Sequence, residues 1–209
     1  MNLKHFLNRN NFREKDFNYF QNFVIGYDRS YLAQEDLLKD FETWLQLTKS
    51  LEQRDPQSFF NIYNREFLRK NQFKLNKSKI KTKIDESLLI FATLYKENVS
   101  VIRFLIEKQS VDPNCHDSLP LIMASSFNFP KIVQYLLEKG SNPTFQDGKS
   151  FLEASQQGYS KILELLYLNR YDMSPFLDQA LEISIKHRHV EAEFLIRQFI
   201  EKSVSKQAV

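Results

Sequence analysis

The sequence predicts an all-α fold in which a helical N-terminal segment caps a short α-solenoid of about four repeats. Three observations predict it. Small and apolar residues recur 30 positions apart through the second half of the chain, most clearly from Ala124 to Ala154 and from Ile132 to Ile162. Apolar residues elsewhere recur at three- and four-residue spacing, the period of one helical face. Gly occurs 4 times in 209 residues, too rarely for a turn-rich β fold or a Gly-rich phosphate cradle.

In chain order, residues 1–83 show no repeat and read as three or four helices. Asp16 caps a first helix holding Phe17, Phe20, Phe23 and Val24, which ends near Gly26. Ser30 caps a second, with Leu37, Leu38, Phe41, Trp44, Leu45 and Leu47 on one face. Asp55 and Pro56 start a third, since a carboxylate can cap the exposed amides and proline leaves no amide to cap. Its helix carries Phe59, Phe60, Ile62, Tyr63, Phe67 and Leu68, which read as core rather than as a base-stacking platform. The bundle is expected to dock on the first repeat and cover Phe91, Leu94 and Phe104.

Residues 69–83 form a connector with seven Lys or Arg and no Asp or Glu. One reading is a solvated connector or helix face. The other is a possible anion contact to nucleic acid or an anionic membrane, with Lys77, Lys79, Lys81 and Lys83 alternating along one edge of an extended segment. The charge balance also changes near this point. Residues 1–84 hold 16 Lys/Arg against 10 Asp/Glu, and residues 85–209 hold 13 against 16.

Repeats are expected at about 84–114, 115–144, 145–173 and 174–202, followed by a tail at 203–209. Each reads as two short helices. The first is centred on a small residue (Ala92, Ala124, Ala154) where it must approach its neighbour. The second carries apolar runs such as Ile132, Val133, Tyr135, Leu136 and Leu137. Asn128 or Gly158, which tolerate positive φ, mark the turn between them. Gly140 fits a helix C-cap, and Asn142-Pro143 opens an extended turn towards the next unit. Asp112-Pro113 stands 30 residues before Asn142-Pro143. The fourth copy, from Leu181 to Ser184 and His189 to Ile196, is worn and its register is open.

These features resemble the ankyrin repeat family over about residues 84–200. The resemblance rests on Pro120-Leu121 before Ala124, Gly158 after Ala154, Ile132-Val133 with Leu136-Leu137, and Gly140-Ser141-Asn142-Pro143. The period of 30 is shorter than the family's usual repeat, so a shortened inter-repeat hairpin is expected around Asn142–Gly148. Cys115 and His116 would lie on the hairpin before it.

Recognisable chemistry is absent. There is no P-loop, dinucleotide fingerprint, His-Glu-x-x-His or serine elbow. Cys115, His116 and Asp117 are sequence neighbours, which rarely converge as a catalytic triad must. His187 and His189 lie two apart on a helix and do not share a face. No catalytic residue, metal or cofactor is expected. The single cysteine points to a reducing compartment, and no apolar run is long enough to span a bilayer. The N-terminus lacks the pattern of a secretory signal.

The resemblance implies a non-enzymatic module that binds another protein on a concave surface of hairpin tips and short inner helices. Carried over residue by residue, its contact positions are Lys83, Ile84, Leu94 and Tyr95 in the first repeat. They are Cys115, His116, Ser118, Ser126 and Phe127 in the second, and Phe145, Gln146, Gln156 and Gln157 in the third. The fourth supplies Lys186 and His187. A monomer acting in the cytoplasm is the expected form. Richness in Asn, Lys, Ile and Phe suggests an AT-rich genome, and the resemblance then suggests a bacterial effector secreted into a host cytoplasm. The alternatives are the anion contact at 69–83 and an activity housed in residues 1–83.

Overall fold

The computed structural model describes the backbone of residues 34–65 and 75–207, and side chains over 41–65, 81–96 and 98–205. The described residues are helical and include no strand. They divide into two compact units, the first ending at Val111 and the second starting at Asp112.

The first unit contains α1 (Gln34–Glu52), α2 (Pro56–Tyr63), α3 (Leu75–Ala92) and α4 (Val99–Glu107). α3 and α4 form a helix pair joined through a 3-10 turn at Lys96–Asn98, while α1 packs on α2 and α3, and α2 packs on α4. α2 starts as its sequence requires. Asp55 accepts the Ser58 amide at 3.0 Å and Pro56 takes the first helical position. The hydrogen bonds from Ser58 hold the Asp55 carboxyl below its ordinary pKa.

Phe41, Leu47, Leu51, Phe59 and Tyr63 are fully covered, together with Leu88, Leu89 and Leu105 of the helix pair. The rings meet edge to face: Trp44 on Phe91 at 5.6 Å, and Phe60 and Tyr63 on Phe104 at 5.2 and 5.1 Å. Such pairs exploit the positive ring edge against the negative face. Of the three residues expected to be covered, Phe91 and Phe104 meet these rings, and all three, Leu94 included, are half-buried. Two buried side chains bond across elements, Trp44 Nε1 donating to Ser87 Oγ at 3.0 Å and Asn98 Nδ2 to the Leu51 carbonyl at 3.1 Å. The Asp16 helix, the Ser30 cap, the side chains of Leu37 and Leu38, and Phe67 and Leu68 lie outside the described residues. α3 runs straight through the expected boundary at 83/84 and gives the first repeat a long leading helix.

The second unit is three helix pairs: α5 (Cys115–Ser126) with α6 (Pro130–Glu138), α7 (Phe145–Gln157) with α8 (Ser160–Tyr167), and α9 (Leu177–Lys186) with α10 (Val190–Gln207). α5, α7 and α9 stack side by side as one layer, and α6, α8 and α10 as the other. The 30-residue interval is written into the backbone. Asn128, Gly158 and Arg188 all take left-handed φ, at 57°, 71° and 60°. The amides that follow, of Phe129, Tyr159 and His189, donate to the carbonyls of Ala124, Ala154 and Ser184 at 3.0, 2.9 and 2.9 Å. This is the 6→1 bond that closes a helix onto a left-handed residue.

A second set of marks fixes the fourth copy. Side-chain oxygens of Asp112, Asn142 and Asp172 accept the amide two residues on, of Asn114, Thr144 and Ser174, at 2.8, 2.9 and 2.9 Å. Ser184 thus takes the place of Ala124 and Ala154, and Ala192 that of Ile132 and Ile162, all of them buried.

Two expectations need correction here. The connection entering each of α5 and α7 is not a hairpin. His116, Asp117 and Ser118 all have left-handed φ and ψ, as do Gln146, Asp147 and Gly148, so each connection is a single left-handed helical turn running into a right-handed helix. With a period of 30 there is too little chain for two extended arms. The fourth copy uses a 3-10 turn at Ser174–Phe176 instead. Residues 203–207 are also not a tail, because α10 continues through Gln207.

Candidate functional site

In the second unit the expected contact residues fall into two rows, one at each end of the α5–α7–α9 layer. Ser126 and Phe127, Gln156 and Gln157, and Lys186 and His187 stand at the C-terminal ends of these helices, 30 positions apart. His116, Phe145 and Gln146 stand at the opposite ends. The right-handed parts of these helices run eight to ten residues, so the rows are about 12–15 Å apart at 1.5 Å of rise per residue.

Along the first row, Phe127 is 51% exposed, and Gln156, Gln157, Lys186 and His187 are exposed beside it in register. Phe127 stacks on Phe129, with ring centroids 6.2 Å apart and planes at 20°. Sixty positions later the rings of His187 and His189 stack in the same way, at 6.1 Å and 7°. His189 is fixed from below, its Nε2 lying 2.9 Å from the Gln156 carbonyl and its ring lying over Gly158. Ser126 is half-buried and its hydroxyl donates back to the Ile122 carbonyl at 2.9 Å, so it is committed within α5.

The second row departs from expectation. Cys115 and Ser118 are buried and cannot present themselves to a partner. The left-handed turn folds them inward, and the Ser118 hydroxyl donates to Asn114 Oδ1 at 2.7 Å. His116 is exposed, Phe145 is 38% exposed, and Gln146 Nε2 donates to the Asp117 carbonyl at 3.3 Å, tying one turn to the one before it. Beneath this row Asn114 joins the two repeats. Its Oδ1 also accepts the Asn142 amide at 2.7 Å, and its Nδ2 donates to the Gly140 carbonyl at 3.1 Å.

In the first unit, Tyr95 is half-buried, Leu94 is half-buried and Ile84 is buried, which removes Ile84 as a contact. The anion contact is also reshaped. Residues from Leu75 onward are helical, so Lys77, Lys79, Lys81 and Lys83 do not line one edge: residues two apart on a helix point about 200° apart. Residues 69–74 and the side chains of Lys77 and Lys79 lie outside the described residues. Lys83 is exposed.

Lys81 is drawn inward, its Nζ donating to Asp85 Oδ2 at 2.5 Å, Tyr63 Oη at 2.8 Å and Gln109 Oε1 at 2.9 Å. Tyr63 Oη in turn donates to Asp85 Oδ1 at 2.7 Å. Burial raises the Asp85 carboxyl above its ordinary pKa against the pull of Lys81, and burial with the Asp85 charge raises the Tyr63 phenol strongly. The four groups satisfy one another and read as a structural latch between α2, α3 and the end of α4.

Sequence reasoning passed over one surface. Val190 and Phe194 of α10, which fall in the fourth copy's apolar run from His189 to Ile196, are 76% and 64% exposed. The available signal was their four-residue spacing on a face that nothing in the expected stack would cover.

Among the described residues no group of His, Cys, Asp and Glu is placed to hold a metal ion, and no helix is long and apolar enough to cross a membrane. Residues 63–147 match the family model for ankyrin repeats, three copies. The match starts ahead of the expected boundary, within α2, and stops inside the left-handed turn that opens α7. The pairs α7–α8 and α9–α10 lie beyond it and repeat the same backbone marks. No curated protein and no solved structure matches the chain. Ankyrin repeats indicate a protein–protein interaction module.

Proposed function

We propose, from the premise that this chain carries ankyrin repeats, that it is a non-enzymatic module. It binds a partner protein along the row formed by Phe127, Gln156, Gln157, Lys186 and His187. The observation that carries the reading is Phe127, a half-exposed aromatic held in place by its stack on Phe129. Exposed aromatics commonly dominate binding energy, and one already fixed by a neighbour loses little rotamer freedom on association. The amides of Gln156 and Gln157 offer both donors and acceptors, and Lys186 adds a cation. The row therefore suits a segment with an apolar anchor followed by polar and acidic groups. Phe145, His116 and Gln146 make a secondary contact for a partner wide enough to reach across the layer. Tyr95 is a further contact on the first unit.

The composition supports, as a setting, a host-targeted bacterial effector working in a host cytoplasm. The same surface serves any cytoplasmic adaptor equally well. The anion-binding reading loses Lys81 to the Asp85 pair and retains Lys83.

Affinity capture from a cell lysate tests the reading, with wild type run beside Phe127→Ala, Gln157→Ala and Phe145→Ala. A partner lost by the first, weakened by the second and retained by the third at unchanged melting temperature is the expected pattern. Partners retained equally by Phe127→Ala and Gln157→Ala would overturn it.

A further inference from the structure

We propose that α10 is a docking surface for a second copy of this chain, the two α10 helices lying antiparallel across a two-fold axis. Val190, Phe194, Arg197, Glu201 and Val204 follow one another at alternating steps of four and three residues. At 100° per residue they fall in a stripe about 80° wide, the width of a coiled-coil seam. All five are exposed, with Phe194 at 64% and Val204 at 61%. The helix, whose other side is already buried by Ala192, Ile196 and Phe199, thus turns to water a second stripe with Val190, Phe194 and Val204 flanking one basic and one acidic residue.

The stripe is complementary to itself in one register. When two antiparallel copies are centred between Arg197 and Glu201, Phe194 of one faces Val204 of the other and Arg197 faces Glu201. The two-fold repeats each contact, giving two apolar layers outside two charge-paired layers. In this register every knob also meets the seam position that antiparallel helices pair. Parallel alignment would set Arg197 on Arg197 and Glu201 on Glu201, so charge selects the antiparallel form. Arg197 pairs with Glu193 at 2.8 Å on the flank of this stripe and stays exposed. One helix pair buries a small area, so the dimer is weak and forms in the micromolar range or above.

Sedimentation of the full chain across micromolar concentrations tests this. Wild type is expected to climb from one chain mass towards two as concentration rises. Arg197→Glu puts acid opposite Glu201, and Glu201→Arg puts base opposite Arg197, so each variant alone stays at one chain mass. Mixed in equal amounts they pair acid with base at both sites and recover the wild-type mass. That recovery also shows that neither variant failed by misfolding. Phe194→Ala, with unchanged helical circular dichroism, shifts the wild-type curve at least tenfold to higher concentration. A wild type that stays at one chain mass, or variants that associate as well alone as mixed, or a Phe194→Ala curve that does not move, overturns the proposal.

Discussion

Asn114 and Asn142 belong to successive repeats, and the side-chain oxygen of the first accepts the backbone amide of the second at 2.7 Å. The Nδ2 of the same Asn114 side chain donates to the Gly140 carbonyl at 3.1 Å, and its Oδ1 also receives the Ser118 hydroxyl at 2.7 Å. One side chain thus satisfies two backbone groups of the next repeat.

Asn114→Ala is expected to strand the Asn142 amide and the Gly140 carbonyl, costing about 1–3 kcal/mol. Asn114→Asp keeps the acceptor and loses the donor, so it lies between. Urea unfolding gives the magnitudes, and hydrogen exchange at the Asn142 amide gives the location. An unchanged exchange rate there would show that the bond carries no weight.

The three left-handed turn residues separate backbone strain from packing. Arg188 at φ 60° carries a Cβ penalty that glycine lacks, so Arg188→Gly is expected to raise stability by about 1 kcal/mol. Gly158→Ala goes the other way twice over, through φ and because the new Cβ would lie 2.6 Å from the His189 ring. Adding His189→Ala to Gly158→Ala should recover part of the loss. Strictly additive melting temperatures would argue against that contact.

Tyr63→Phe removes one of the donors that hold the buried Asp85 carboxylate. The expected loss is about 1–3 kcal/mol near neutral pH, from a charge left with one partner fewer. The folded pKa of Asp85 already stands above its unfolded value. Between the two values the folded state binds the extra proton, and stability rises as pH falls. Loss of the Tyr63 donor raises the folded value further. The penalty should therefore shrink on acidification through that range, which thermal unfolding at stepped pH will read. A penalty independent of pH would point to lost packing alone.

Phe127 and Phe151 contrast a surface ring with a core ring. Phe151→Ala is expected to cost about 3–5 kcal/mol, since that ring is fully buried between the helix pairs. Phe127→Ala should leave the melting temperature nearly unchanged and cost about 2 kcal/mol in partner binding. Equal stability losses at the two sites would place Phe127 in the core network instead.

Much of this fold was legible from residue types. Ala124 and Ala154 marked the close approach of neighbouring helices, and Asn128 and Gly158 marked turns that need positive φ. Asp55-Pro56 marked a helix start. Arg188 escaped notice because a long side chain tolerates the left-handed region only under tertiary constraint, so the fourth copy had no visible punctuation. The left-handed turns at His116–Ser118 and Gln146–Gly148 were illegible for the same reason. Gly148 favours the conformation outright and His116, Asp117 and Asp147 tolerate it singly, but residue types do not announce three left-handed residues in a row. Cys115 and Ser118 were assigned to a surface because the hairpin they were placed on does not exist. Lys81 looked like its basic neighbours, and only a tertiary partner, Asp85, distinguishes it. The exposed seam on α10 needed the structure, because apolar residues at helical spacing ordinarily mean burial.

The backbone marks at 112, 142 and 172, and again at 128, 158 and 188, have a bearing on heredity. A gain or loss of thirty codons between Asp112 and Arg188 returns the left-handed bends at 128, 158 and 188 and the side-chain acceptors at 112, 142 and 172 to matching positions. An insertion of another length inside one of the helices shifts the later apolar positions off the face that stacks on the neighbouring pair. Thirty residues is thus the increment in which this stack can lengthen or shorten while each remaining helix pair keeps its shape.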